Sequence, residues 1–189
     1  MIYMGWYNNL LKFVYHPYNM YMKLTLPDNS IREIEAGSCG FDLAKDIGPG
    51  LAKAAVAIDI NGEQRDLFDP INEDANVSII TINSEEGLEI MRHTLTAQVL
   101  ARAIKTIYPD SQLAIGPTIK DGFYYDFKTN KTVSIDSLHD IEKEMKKIID
   151  SKSNITKKLF SRKDALKVFN DNKEPYKKLI IEDSDQKDD

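Results

Sequence analysis

The stretch KLTLPDNSIREIE, Lys23 to Glu35, decides the fold of the first part of the chain. Apolar and polar residues alternate on both sides of Pro27-Asp28-Asn29-Ser30, the pattern of two half-buried strands, and those four residues are types that reverse a backbone. Downstream of this hairpin, FDLAKDIGPGLAKAA predicts a short helix from about Phe41 that stops near Gly48-Pro49-Gly50. Proline cannot continue the hydrogen-bond ladder, and glycine accepts positive φ. VAIDI then reads as a strand, Asn61-Gly62 as a two-residue hairpin turn, EQRDLF as the returning strand and VSIITI, Val77 to Ile82, as one more. That order requires a mixed sheet crossed by one helix, so residues 22–83 are expected to form a β-grasp-like (ubiquitin-like) module.

Asn83-Ser84-Glu85-Glu86 supplies an N-cap with acids in the first turn, and the helix it opens is expected to run to about Tyr108, before Pro109. Leu88, Met91, Leu95, Val99 and Ala103 recur at three- and four-residue steps, giving that helix one apolar stripe. Beyond it lie SQLAIGP, the dense segment TIKDGFYYDF and a charged helix from about Ile135 to Asp150. A strand or loop around Thr156 to Phe160, a short helix from Arg162 to Asn170 and a final strand, YKKLII, complete the pattern. The second domain is thus α+β and spans 84–182, followed by a solvated acidic tail over 183–189. Residues 1–21, rich in aromatics but broken by Asn8, Asn9 and Lys12, read as a disordered leader or a start placed too far upstream.

A length of 189 residues suits two small domains, and 42% apolar with 29% charged residues is the balance of a folded chain with a packed core. The net charge of −5 argues against indiscriminate wrapping of nucleic acid, although a local basic face is compatible with it. A single cysteine, Cys39, excludes an internal disulfide and a four-cysteine zinc site, so the cytoplasm is the expected compartment. No stretch approaches the ~18 apolar residues of a membrane span, and no membrane partner is expected.

Chemistry can be sought in three places. His93 lies on the long helix, where a second ligand or base belongs at i+4; that position is Ala97, and Gln98 is turned about 140° away in a regular α-helix. On position alone His93 reads as structural. In Asp121-Gly122-Phe123-Tyr124-Tyr125-Asp126-Phe127, strand alternation sends Phe123, Tyr125 and Phe127 to one side; tyrosines there can stack on a base or donate to an ester, or fill a core. Lys143, Lys146, Lys147, Lys157, Lys158, Arg162 and Lys163 form a local basic excess, fit for a phosphate backbone or for solvent. There is no glycine-rich phosphate loop, nucleophile elbow or zinc-type spacing.

The ordered combination resembles the N-terminal half of threonyl-tRNA synthetases. MKLTLPDNSIREIEAG to VSIITINS is similar to that family's TGS domain. EIMRHTLTAQVLARAIKTIYPDSQLAIGPTIKDGFYYDF and EPYKKLIIE resemble its second, editing-type domain, with the GFYYDF block the specific element. A looser relation to the alanyl-tRNA synthetase editing domain follows. The resemblance implies hydrolysis of mischarged seryl-tRNA by a site that opens with HxxxH on a helix and closes with a Cys-x-x-x-His motif. His93 matches the first histidine, Ala97 stands where the second belongs, and one inserted residue would make the match Gln98. Tyr125 and Lys177 match a pocket tyrosine and lysine. The closing motif is absent, so the resemblance implies an incomplete domain, truncated at its C-terminal end, with little or no editing. ATP and zinc would belong to the synthetic core, so no cofactor or metal is expected here.

Three functions follow as expectations. The chain is an N-terminal fragment of a threonine-tRNA ligase that contacts the acceptor stem of tRNA(Thr), with a separately encoded synthetase core as a further partner. Alternatively it is a freestanding hydrolase that clears Ser-tRNA(Thr) in trans with His93, Tyr125 and Lys177. The third expectation is a non-catalytic TGS interaction or regulatory module.

Overall fold

The computed structural model describes the backbone of residues 3–7, 10–14 and 21–184, with side chains from Tyr21 onward. The leader expected over 1–21 and the acidic tail expected over 183–189 lie largely outside the described residues. Within the former, Tyr3–Tyr7 (β1) pairs antiparallel with Leu10–Val14 (β2). The chain divides into two compact units, Met1–Leu88 and Glu89–Asp189.

In the first unit the opening hairpin is present as Tyr21–Thr25 (β3) and Ile31–Glu35 (β4). Its turn is held locally: Asp28 Oδ1 accepts from the Ser30 N–H at 3.0 Å, and Asn29 takes φ 63. A helix, Gly40–Ile47 (α1), starts where Asp42 accepts from the Cys39 N–H at 3.1 Å and ends at Gly48. The expected stop is followed at once by a second helix, Pro49–Ala54 (α2), because proline at the first helical position gives up an N–H that would be unpaired anyway. Ala55–Ile60 (β5), Glu63–Asp66 (β6) and Ala75–Thr81 (β7) complete a sheet of order β4-β3-β7-β5-β6. The turn between β5 and β6 has positive φ at both Asn61 and Gly62, the backbone that matches strand twist in a two-residue hairpin. Strands β3 and β7 run parallel and the other pairs antiparallel. Leu24, Leu43 and Ile58 are fully buried, with Met22, Ile34, Ile60, Ile71 and Val77 around them.

The expected long helix, which starts at the end of the first unit, is broken into three parts. Glu85–Thr94 (α3) passes into a π-helical segment, Leu95–Leu100, and resumes as Ala101–Ile107 (α4). Ser84 Oγ accepts from the Gly87 N–H at 3.0 Å at its start, as the sequence predicts. Along it Thr96, Ala101, Ala103, Ile104 and Tyr108 are buried, and in the π segment N–H groups reach back five residues, as the Ala101 N–H does to the Thr96 carbonyl. The aromatic segment forms short pairs: Gln112–Leu113 (β8) with Phe127–Lys128 (β11), and Thr118–Ile119 (β9) with Gly122–Phe123 (β10). Ile135–Asp150 (α5) packs Ile141 beside Ile104, Tyr108 and Leu113, and the Tyr108 and Phe127 rings stack at 6.1 Å. Arg162–Asp171 (α6) follows an exposed irregular stretch over 152–160.

The final strand read in YKKLII is instead a helix, Pro175–Glu182 (α7). A strand needs a neighbour for its N–H and carbonyl groups, whereas a helix pairs them internally, as the Lys178 N–H does with the Glu174 carbonyl at 3.1 Å. Pro175 also sits at the helix start, where its fixed φ and missing N–H are suited.

Candidate functional site

Tyr125 and Lys177, matched from distant parts of the sequence, meet in the structure: the Lys177 ammonium lies 5.4 Å from the Tyr125 ring centroid. Tyr125 is half-buried, as strand alternation predicts, with Tyr124 and Asp126 turned out. Its ring is seated by a close backbone approach. A Cβ built on Gly116 would come within 2.4 Å of the ring and 2.6 Å of Thr96 Cγ2, so the absence of a side chain at Gly116 lets Tyr125 and the buried Thr96 close over it.

Lys177 is placed by a residue the sequence reading passed over. Glu174, 7% exposed, precedes α7; its Oε1 pairs with Lys105 Nζ at 2.5 Å and its Oε2 accepts from the Leu113 N–H at 3.1 Å. Lys105 also donates to the Ser111 carbonyl at 2.6 Å. A buried carboxylate is tolerable only with such partners, and here they tie the start of α7 to α4 and β8. The signal available in the sequence was weak: an acid one residue before proline is ordinary on a surface.

His93 stands in the last turn of α3, exposed, with no hydrogen bond or ion pair to another described residue. Its neighbours on the helix are anchored. Arg92 Nη1 donates to the Lys120 carbonyl at 2.7 Å, and Thr96 Oγ1 donates to the Arg92 carbonyl at 2.7 Å. Thr96 touches the same Gly116 position as Tyr125, so one helical segment carries His93 and helps to seat that ring. Gln98 lies within the π segment and is exposed.

The basic residues separate into groups. On α5, Lys146 pairs with Asp150 at 3.1 Å and Lys147 with Glu144 at 2.7 Å, while Lys143 is exposed without an ion pair to another described residue. Lys157 and Lys158 lie on the exposed stretch before α6, and Lys163 is exposed on α6. Arg162 is turned to the end of α7, donating to the Ser184 and Glu182 carbonyls at 2.9 Å each, where helix carbonyls lack internal partners and a cation is favoured.

The first unit carries an open hollow of about 300 Å³ lined by Thr25, Leu26, Asn29, Asp59, Asn76 and Ser78, among others. Cys39, the one thiol, has its pKa raised, by burial first and then by its hydrogen bond to Asp42. Asp42 in turn is held below the usual carboxylate range by the Cys39 N–H and thiol. Among the described residues no group of three or more His, Cys, Asp or Glu could hold a metal ion, and no helix is long and apolar enough to cross a membrane.

Residues 22–81 match the TGS domain family, so the first unit carries a TGS domain. The chain is homologous to the N-terminal region of threonine-tRNA ligases. It is 47% identical to the threonine-tRNA ligase of Paramagnetospirillum magneticum over 159 residues, covering 84% of the chain and 25% of that relative. For the enzyme of Acetivibrio thermocellus the figures are 42% identity, 86% of the chain and 25% of the relative. For threonine-tRNA ligase 1 of Bacillus subtilis they are 46%, 76% and 22%. The chain therefore spans about a quarter of the length of these relatives.

Proposed function

We propose that the chain acts in translation as the N-terminal part of a threonine-tRNA ligase system, its second unit contacting the acceptor stem of tRNA(Thr). The observation that carries this reading is identity of 42–47% over more than four-fifths of the chain with the N-terminal region of such ligases. Lys143, Lys158 and Lys163 are exposed cations without an ion pair to another described residue, and Lys157 lies on the same exposed stretch as Lys158. The core that joins threonine to tRNA would be supplied by a separate polypeptide or by further sequence, and the cytoplasm is the place for such work.

A gel-shift assay with tRNA(Thr) at rising salt tests this. Binding should weaken steeply with salt, and Lys158→Ala with Lys163→Ala should lower the log–log salt slope by about 1–2. No binding even at low salt would overturn the proposal.

The meeting of Tyr125 and Lys177 favours a second activity at the same unit, a reduced editing site for Ser-tRNA(Thr). In that reaction water adds to the ester carbonyl and its proton passes to the His93 imidazole. The proton then goes to the departing ribose oxygen, leaving serine and free tRNA. Release of serine no faster from the parent chain than from His93→Ala would remove this reading. The hollow in the TGS domain supports the third, a small ligand or partner segment held there.

A further inference from the structure

The hollow in the TGS domain opens where two parallel strands part. β3 ends at Thr25 and the chain turns away through Pro27, while β7, paired to it at Leu24 with Ala75 and at Thr25 with Asn76, runs on to Thr81. Strand register sets polar side chains beside one another there. Thr25 lies across from Asn76, and Ser78, two residues on and so on the same face, lies across from Asp59 of β5. Leu26, Pro27 and Val77 supply the apolar part of the lining. The rim is tied by backbone bonds. The Leu26 N–H donates to the Ser30 carbonyl and the Asn29 N–H to the Leu26 carbonyl, both at 2.9 Å. On the other side the Asn61 N–H donates to the Asn76 carbonyl at 2.8 Å, and the Asn76 N–H to Asn61 Oδ1 at 2.9 Å. The site is thus formed in advance, which spares a ligand the cost of ordering it.

The side chains of Thr25, Asn29, Asn76 and Ser78 make no hydrogen bond to another described residue. Asp59 accepts from the Gly62 N–H through Oδ1 at 2.8 Å, makes no ion pair with another described residue, and is the one charged group among the described residues lining the hollow. Close by, Lys23 sits two residues before Thr25 on the same strand face, across from Glu33, and Asp28 on the rim accepts from Ser30. A phosphate or carboxylate entering the hollow would meet a like charge. An ammonium would meet a carboxylate with lone pairs to spare, and ligand hydroxyls would find hydroxyl and amide partners. β3, β7 and β5 are interior strands of the sheet, so a peptide cannot add there as a strand, and about 300 Å³ is at the small end of ligand clefts.

We propose that this hollow is a binding site for a small primary amine that also carries hydroxyl groups, its ammonium held by the Asp59 carboxylate and its hydroxyls by Thr25, Asn76 and Ser78. This rests on the third reading above and names the class of ligand.

Serinol is glycerol with its central hydroxyl replaced by an ammonium, so the two probes differ in the group that Asp59 would recognise. Each is titrated into the isotope-labelled full chain while amide resonances are followed by nuclear magnetic resonance. Serinol should shift the amides of Thr25, Leu26, Asp59, Asn76 and Ser78 saturably and bind at least about tenfold more tightly than glycerol, since a charge-assisted hydrogen bond replaces a neutral one. Asp59→Asn keeps an oxygen for the Gly62 N–H and removes the charge, so it should bring serinol down to the affinity of glycerol and leave glycerol unchanged. Equal affinities of the two probes for the parent chain overturn the amine class, and that comparison needs no variant to fold. Serinol shifts undiminished in Asp59→Asn place the ammonium elsewhere and overturn it too. Adenosine monophosphate should leave these amides in place. Saturable shifts with it overturn the amine class while keeping the hollow as a small-ligand site. Absence of saturable shifts with all three probes removes that reading as well and leaves acceptor-stem binding to be judged by the gel shift.

Discussion

The first unit buries its core under one sheet whose strands run from four to seven residues, whereas the described residues of the second unit form four strands of two residues each and depend on helices. In the sheet, every central strand contributes alternate side chains to one cluster around Leu24, Leu43 and Ile58. In the second unit the cluster around Ile104, Tyr108 and Ile141 is supplemented by a buried ion pair, a cation over a ring and a ring seated on a glycine. Most large apolar side chains left exposed also belong to the second unit, among them Ile135, Ile155 and Leu159. An apolar core responds to lost volume and to an unpaired polar group, while a unit held by polar contacts also responds to the loss of single partners. The comparison also separates roles, because the proposed chemistry lies in the second unit.

The contrast can be broken by substitution. Leu24→Ala, which opens a cavity in the sheet core, should cost about 2–5 kcal/mol in urea denaturation followed by circular dichroism. Should Glu174→Ala cost as much, the core and the polar contacts would rank equally. We expect about 2–3 kcal/mol for it, since it leaves the Leu113 N–H without its carboxylate partner and Lys105 without its ion-pair partner. Gly116→Ala should cost about 1–3 kcal/mol by driving a methyl group into the Tyr125 ring and Thr96, and it should weaken any serine release more than tRNA binding. A neutral Gly116→Ala would show that the ring can move aside freely.

The smallest effect belongs to Asp42→Asn, at under about 1 kcal/mol, as expected for a helix-start contact. The folded-state pKa of Asp42 is depressed, so its contribution is present above the unfolded pKa of about 3.9 and is lost as pH falls through the folded value. Stability of the parent chain and of Asp42→Asn should therefore differ at pH 7 and converge at strongly acid pH. The same variant should speed alkylation of Cys39, because the carboxylate that disfavours the thiolate is removed.

The β-grasp order was readable in advance because its signals are local. Alternation in KLTLPDNSIREIE, the Asn61-Gly62 turn and Pro49 each act within a few residues, and the sheet has one way to bury the alternate side chains. Of the candidate site, Tyr125 was placed inward by the same alternation. The π segment was not foreseeable from a fixed 100° per residue, which assumes an unbroken α-helix. YKKLII was misread for a related reason: its apolar residues fit either periodicity, and the absence of a partner strand is a property of the whole unit.

Residue types and their spacing were sufficient to establish the turns of the first unit and the side of the aromatic segment that faces inward, because each depends on neighbours within one or two turns of chain. That Lys177 reaches Tyr125, that Glu174 ties the start of α7 to α4 and β8 and that Arg162 closes the end of α7 required the packed molecule. These are contacts between segments far apart in sequence, and no local pattern encodes the distance between two surfaces that meet only on folding.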